Sequence, residues 1–92
     1  MTDAEVTRVT PSNITVRVGS RIVEVSGDAI IDKPKAPYFV SSKSITAWQP
    51  PHERDPLSED DKEVVLQAIR DHMDGKGMYS IIDPTDEQYR TL

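Results

Sequence analysis

Hydrophobic and polar residues alternate most cleanly between Asn13 and Ser26. Ile14, Val16 and Val18 fall on one side of an extended chain, and Thr15 and Arg17 on the other. Gly19-Ser20 is a two-residue connection with glycine first, which suits a type II′ turn. Arg21 to Ser26 then returns. That turn sets Val18 opposite Arg21, Val16 opposite Val23 and Ile14 opposite Val25. Directly opposed residues share a face, so Ile14, Val16, Val23 and Val25 form one apolar patch. Thr15 with Glu24 and Arg17 with Ile22 lie on the outer face. A slip of one residue would turn Val23 and Val25 into water.

The flanking pattern is weaker. Residues 5–10 are rich in β-branched side chains, but Val6 and Val9 are three apart, which predicts a bulge or an edge strand. Thr10-Pro11-Ser12-Asn13 has the residues of a tight turn. Gly27-Asp28 gives a second turn signal, followed by a short strand at Ala29-Ile30-Ile31. Asp32-Lys33-Pro34-Lys35-Ala36-Pro37 breaks that strand, because two prolines cannot sit in a central ladder. Tyr38 to Ser42 resumes extended structure. Lys43-Ser44 permits a reversal, and Ile45 to Trp48 completes the run. The first half therefore reads as an antiparallel meander of five or six short strands.

The periodicity changes after Trp48. Gln49 to Leu57 contains Pro50, Pro51 and Pro56, so it is expected to be irregular. Ser58 is the natural N-cap of a helix, with Leu57 before it as a hydrophobic staple and Glu59, Asp60 and Asp61 complementing the dipole in the first turn. Val65, Leu66, Ile69 and Met73 recur at spacings of three and four, giving one apolar stripe on a helix over about 58–73. Such a helix is roughly 24 Å long and can cross a small sheet. Gly75 is expected to stop it. Residues 78–83 read as a last strand. The fold class is thus α+β: a meander packed on one amphipathic helix, followed by a final strand. Residues 1–92 form a single domain, with 1–4 and 84–92 expected as mobile tails.

Composition adjusts this picture in three ways. Cysteine is absent, so disulfide and thiolate–metal frameworks are excluded. The acidic N-terminus lacks an apolar run, so neither a signal peptide nor a membrane span is expected. The net charge of −5 is uneven. Residues 1–49 hold five acids against six bases, whereas residues 50–92 hold eleven acids against five bases. A phosphate backbone needs clustered Lys and Arg, so nucleic-acid binding is disfavoured. The acids either keep a small protein soluble or meet an electropositive partner.

Candidate chemistry is sparse. Trp48 either caps the helix–sheet core, donating its indole N–H to a carbonyl, or anchors a binding surface. His52, Glu53 and Asp55 match no closed metal motif, and His72 lacks an i+4 ligand partner, so no metal and no cofactor are expected. No serine lies in a nucleophile elbow, and no glycine loop that could cradle phosphate precedes a helix. A catalytic role is therefore not expected. The run from Glu53 to Glu63 carries six acids against Arg54 and Lys62, mounted on a stiff loop and a helix start.

The hairpin return Arg21 to Asp28, the strand Tyr38-Phe39-Val40, the segment Ile45-Thr46-Ala47-Trp48-Gln49-Pro50-Pro51-His52-Glu53 and the helix bearing Val65 to Ile69 together resemble immunity protein family 74. The resemblance runs from about Val6 to Asp83, and its specific part is Trp-x-Pro-Pro-His ahead of the helix. It implies a cytoplasmic, non-catalytic antidote in a bacterial polymorphic-toxin system, one that binds a cognate toxin domain and occludes its active site. Trp48, His52, Glu53, Asp55, Glu59 and Asp60 are then the expected partner-binding residues, on a monomer or weak homo-oligomer. Two other readings stand beside it. One is an accessory domain that binds another protein or oligomerises through a sheet edge. The other, a small enzyme or ligand carrier, would need an apolar pocket converging on His52 or His72.

Overall fold

The computed structural model describes residues 4–29 and 37–85. Among them, five strands form one sheet: β1 (Ala4–Val9), β2 (Asn13–Val18), β3 (Arg21–Ala29), β4 (Tyr38–Val40) and β5 (Ser80–Ile82). They lie side by side in chain order. The helix α1 (Glu59–Gly75) covers one face, and a 3-10 turn at Ser42–Ser44 follows β4. The first three pairings are antiparallel and β4–β5 is parallel. The fold is α+β, with strands before the helix and a last strand after it. No helix among the described residues is long and apolar enough to cross a membrane.

The β2–β3 hairpin has the register that the alternation predicts, from Val18↔Arg21 to Ile14↔Val25. Gly19 adopts φ 63°, as the first position of a type II′ turn requires. β1 is an edge strand, and its register shifts between Val6 and Arg8. That bulge is why Val6 and Val9 are three apart. On the outer face, Arg17 pairs with Glu5 at 2.8 Å.

Among the described residues four strands precede the helix, where five or six short ones were expected, and two local expectations account for the difference. Gly27-Asp28 is no turn: β3 runs straight through it to Ala29, pairing Gly27↔Val40 and Ala29↔Tyr38. Glycine is needed there for space. A Cβ on Gly27 would strike the Tyr38 ring and stand 2.6 Å from the Phe39 carbonyl oxygen. The Tyr38 ring crosses the glycine so that its hydroxyl can donate to the Thr10 carbonyl at 2.7 Å. Ile30, Ile31 and the break at 32–36 lie outside the described residues.

Ile45 to Trp48 is likewise not a strand. It runs beside β3 but makes side-chain and end contacts instead of a regular ladder. The Ser26 N–H donates to Ser44 Oγ at 2.9 Å, and the Gln49 N–H donates to the Ile22 carbonyl at 2.7 Å. The expected reversal at Lys43-Ser44 is the 3-10 turn.

The core lies between sheet and helix. Ile14, Val16, Val23, Val25, Tyr38 and Val40 face Val65, Leu66, Ile69 and Met73, with Ile45 and Trp48 closing one side. Phe39 points to the other face and is also buried, so all three residues of β4 are covered.

Ser58 caps α1 reciprocally: its hydroxyl accepts from the Asp61 N–H, and the Asp61 carboxylate accepts from the Ser58 N–H. The helix extends two residues past Met73, through Gly75. The left-handed residue is Gly77, at φ 72°. The Gly77 N–H returns to Asp74 and the Met78 N–H to Met73, which closes a Schellman motif. Met78 and Tyr79 belong to this exit, so β5 starts only at Ser80. Of the two segments expected as tails, Ala4 belongs to β1, Pro84 and Thr85 are described, and 1–3 and 86–92 lie outside.

Candidate functional site

The segment between Trp48 and Ser58 has no regular structure, yet it is tied down at several points. Its start is the Gln49 N–H on the Ile22 carbonyl. Two turns follow: the His52 N–H donates to the Gln49 carbonyl and the Asp55 N–H to the His52 carbonyl, both at 3.0 Å. The Pro50–Pro51 peptide is cis. The loop closes where the indole N–H of Trp48 donates to the Pro56 carbonyl at 3.2 Å.

A side-chain clasp adds to these ties. One Asp55 oxygen, Oδ2, meets Arg21 Nε at 3.2 Å and His52 Nδ1 at 3.0 Å. The Arg21 guanidinium also lies 5.8 Å from the Trp48 ring centroid. Both Arg21 and Asp55 are more than a third exposed, so their ion pair contributes only about 0.2–1 kcal/mol. The cation–ring contact adds about 0.5–1 kcal/mol. Trp48 is the main anchor. Burying an indole of about 200 Å² stabilises by about 5 kcal/mol as an upper figure. Apolar burial therefore fixes the loop, and the clasp sets its orientation.

The six residues expected at the site play different parts. Trp48 is only 2 % exposed, so it supports the loop from inside and offers no face to a partner. This corrects its place among the surface residues: its ring fills the gap between hairpin, loop and helix start. His52 and Asp55 are half-buried and bonded to each other. Glu59 is exposed and reaches Lys62 at 3.4 Å. Glu53 and Asp60 are exposed and make no side-chain hydrogen bond or ion pair with the described residues. Arg21 was missed as a site residue by sequence reasoning, since it lies 34 positions from Asp55 and was read only as the start of the hairpin return.

The His52–Asp55 pair shares its carboxylate oxygen with Arg21. A cleft of about 420 Å³ lies elsewhere, lined by residues that include Gly27, Asp28, Phe39, Val40, Lys43 and Asp83. No cluster of three or more potential metal ligands occurs among the described residues.

That cleft sits beside a second clasp. Asp83 follows β5 with φ 53°, and its carboxylate accepts from the Ser42 N–H at 2.9 Å and from the Ser42 hydroxyl. The Asp83 N–H donates to the Val40 carbonyl at 2.7 Å. The Ser42 hydroxyl, then its N–H and the nearby Lys43 charge, hold the Asp83 carboxyl below the ordinary aspartate range against a small opposing effect of burial. This clasp fastens the end of β5 to the turn after β4. It was invisible in the sequence because its members are 41 residues apart.

A family model described as Immunity protein 74 matches residues 6–83. No curated protein and no solved structure matches the chain. The matched span runs from the bulged edge strand to the Asp83 clasp, and it contains both clasps and the proline loop between them.

Proposed function

We propose, for a chain that belongs to the Immunity protein 74 family, that it neutralises a cognate bacterial toxin domain by binding it and covering its active site or substrate path. The protein acts in the cytoplasm as a binding partner and not as a catalyst. The observation that carries this reading, beyond the family match, is the state of the acidic loop. Its backbone is held at both ends and clasped in the middle, so little entropy remains to be lost on binding. Glu53 and Asp60 stay exposed and unpartnered among the described residues. Exposed acids on a rigid mount steer an electropositive partner and hold it in register.

Association through the edge strand β1 is less well supported. The register shift between Val6 and Arg8 breaks the two-residue repeat that an added strand needs.

The test is co-expression with the toxin domain encoded beside this chain. Cells are expected to survive, and the two proteins to co-purify as a complex that weakens as salt rises. Cells that die as fast with the protein as without it, and no complex, would sink the reading.

A further inference from the structure

The face of the sheet turned away from α1 carries no helix, yet Phe39 on that face is only 2 % exposed. Asp28 stands directly opposite Phe39 in the antiparallel pair, and Ile81 beside it in the parallel pair, so all three share that face. The cleft of about 420 Å³ opens here, with Asp28, Phe39, Lys43, Asp83 and Pro84 among its walls. Its charges are unequally matched. Asp83 is held by Ser42 and has Lys43 nearby. Asp28 is exposed and makes no side-chain hydrogen bond or ion pair with the described residues. Phe39 and Pro84 supply apolar wall. Such a site suits an aromatic or aliphatic group with a cation beside it.

The chain itself brings that chemistry to the cleft. Pro84 stands in the wall, and from it the chain runs on through Thr85 to residues 86–92, which include Tyr89, Arg90 and Leu92. Tyr89 is five positions from Pro84 and so reaches points within about 17 Å of it. Tethering gives it an effective concentration that a separate molecule of like chemistry does not match. We infer that residues 86–92 occupy this cleft, with the Tyr89 ring against Phe39 and Pro84 and the Arg90 guanidinium at Asp28. An aromatic pair there covers Phe39 where no helix does. A docked segment then takes the place of the mobile tail expected at 84–92, and the chain closes the helix-free face of β4 with its own residues. The inference is independent of the toxin-binding reading.

Nuclear magnetic resonance on the full wild-type chain tests this without any variant. Nuclear Overhauser contacts are expected between the Tyr89 and Phe39 rings, with the Tyr89 ring signals displaced from random-coil positions. Arg90→Glu is expected to move those signals at least halfway back, and Asp28→Arg added to the same chain to restore them. Thr91→Ser should leave them in place. Tyr89 signals at random-coil positions, with no contact to Phe39, overturn the proposal. Contacts that cross between labelled and unlabelled chains in a mixed sample overturn it in favour of a second copy. Contacts at Phe39 that form only when the toxin domain encoded beside this chain is added overturn it in favour of that partner. Signals that do not respond to Arg90→Glu overturn the assignment of Arg90 to Asp28.

Discussion

The two clasps of this protein use one residue type in different settings. Asp55 binds cationic side chains, Arg21 and His52, and ties a proline loop to the start of β3. Asp83 binds the hydroxyl and backbone N–H of Ser42 and ties the end of β5 to the turn after β4. Each stands near a buried aromatic, Trp48 in the first region and Tyr38 over Gly27 in the second. Around Asp83 the neighbouring surface is an open cleft walled by Asp28, Phe39, Val40, Lys43 and Pro84. Around Asp55 in the chain it is exposed prolines with Glu53 and Arg54. The difference teaches that a clasp near the surface can serve two ends. One closes the sheet, and the other holds an irregular loop against the start of β3.

The aromatic anchors should give the largest effects. Trp48→Ala is expected to lower stability by about 3–5 kcal/mol in denaturant unfolding, because it removes the ring that closes the loop side of the core. A loss below about 1 kcal/mol would mean that the loop does not depend on its anchor. Gly27→Ala should cost about 3 kcal/mol, since its Cβ meets both the Tyr38 ring and the Phe39 carbonyl. A variant as stable as wild type would show that β3 and β4 separate easily and that the second region is not tightly built.

Next comes the carboxylate of the sheet-closing clasp. Asp83→Asn keeps a residue that tolerates the left-handed backbone but removes the charge, and should cost about 1 kcal/mol at neutral pH. Because the folded Asp83 carboxyl lies below its unfolded value, its contribution is complete above about pH 4 and is lost as pH falls through the folded value. Wild type and Asp83→Asn should therefore converge in stability as pH falls through the folded value. A constant gap across that range would assign the clasp to geometry and not to charge.

The smallest stability effect is expected at Asp55. Asp55→Ala should cost less than about 1 kcal/mol, because the pair is more than a third exposed and salt-screened. The same variant should weaken toxin binding by more than its loss of stability explains, as the loop loses its fixed orientation. Equal behaviour of Asp55 and Asp83 variants in the binding measurement would erase the contrast between the two regions.

The sequence by itself determined what depends on near neighbours. The hairpin register followed from a period of two and a glycine-first turn, and the bulge in β1 from valines three apart. The helix start followed from a capping serine and its acids. These features are decided by backbone geometry within a few residues. Of the site, the stiff loop and its acids were legible for the same reason. Only the tertiary structure decided the rest. Gly27 resembled a turn because the sequence does not show that a tyrosine eleven positions later must cross it. Ile45 to Trp48 resembled a strand because its side chains suit one, although the edge beside it is met by a serine hydroxyl and two loop amides. The parallel docking of β5 on β4, the burial of Trp48 and the Arg21–Asp55 clasp bring together segments tens of residues apart. Such contacts depend on how layers pack, and a one-dimensional pattern holds no measure of that distance.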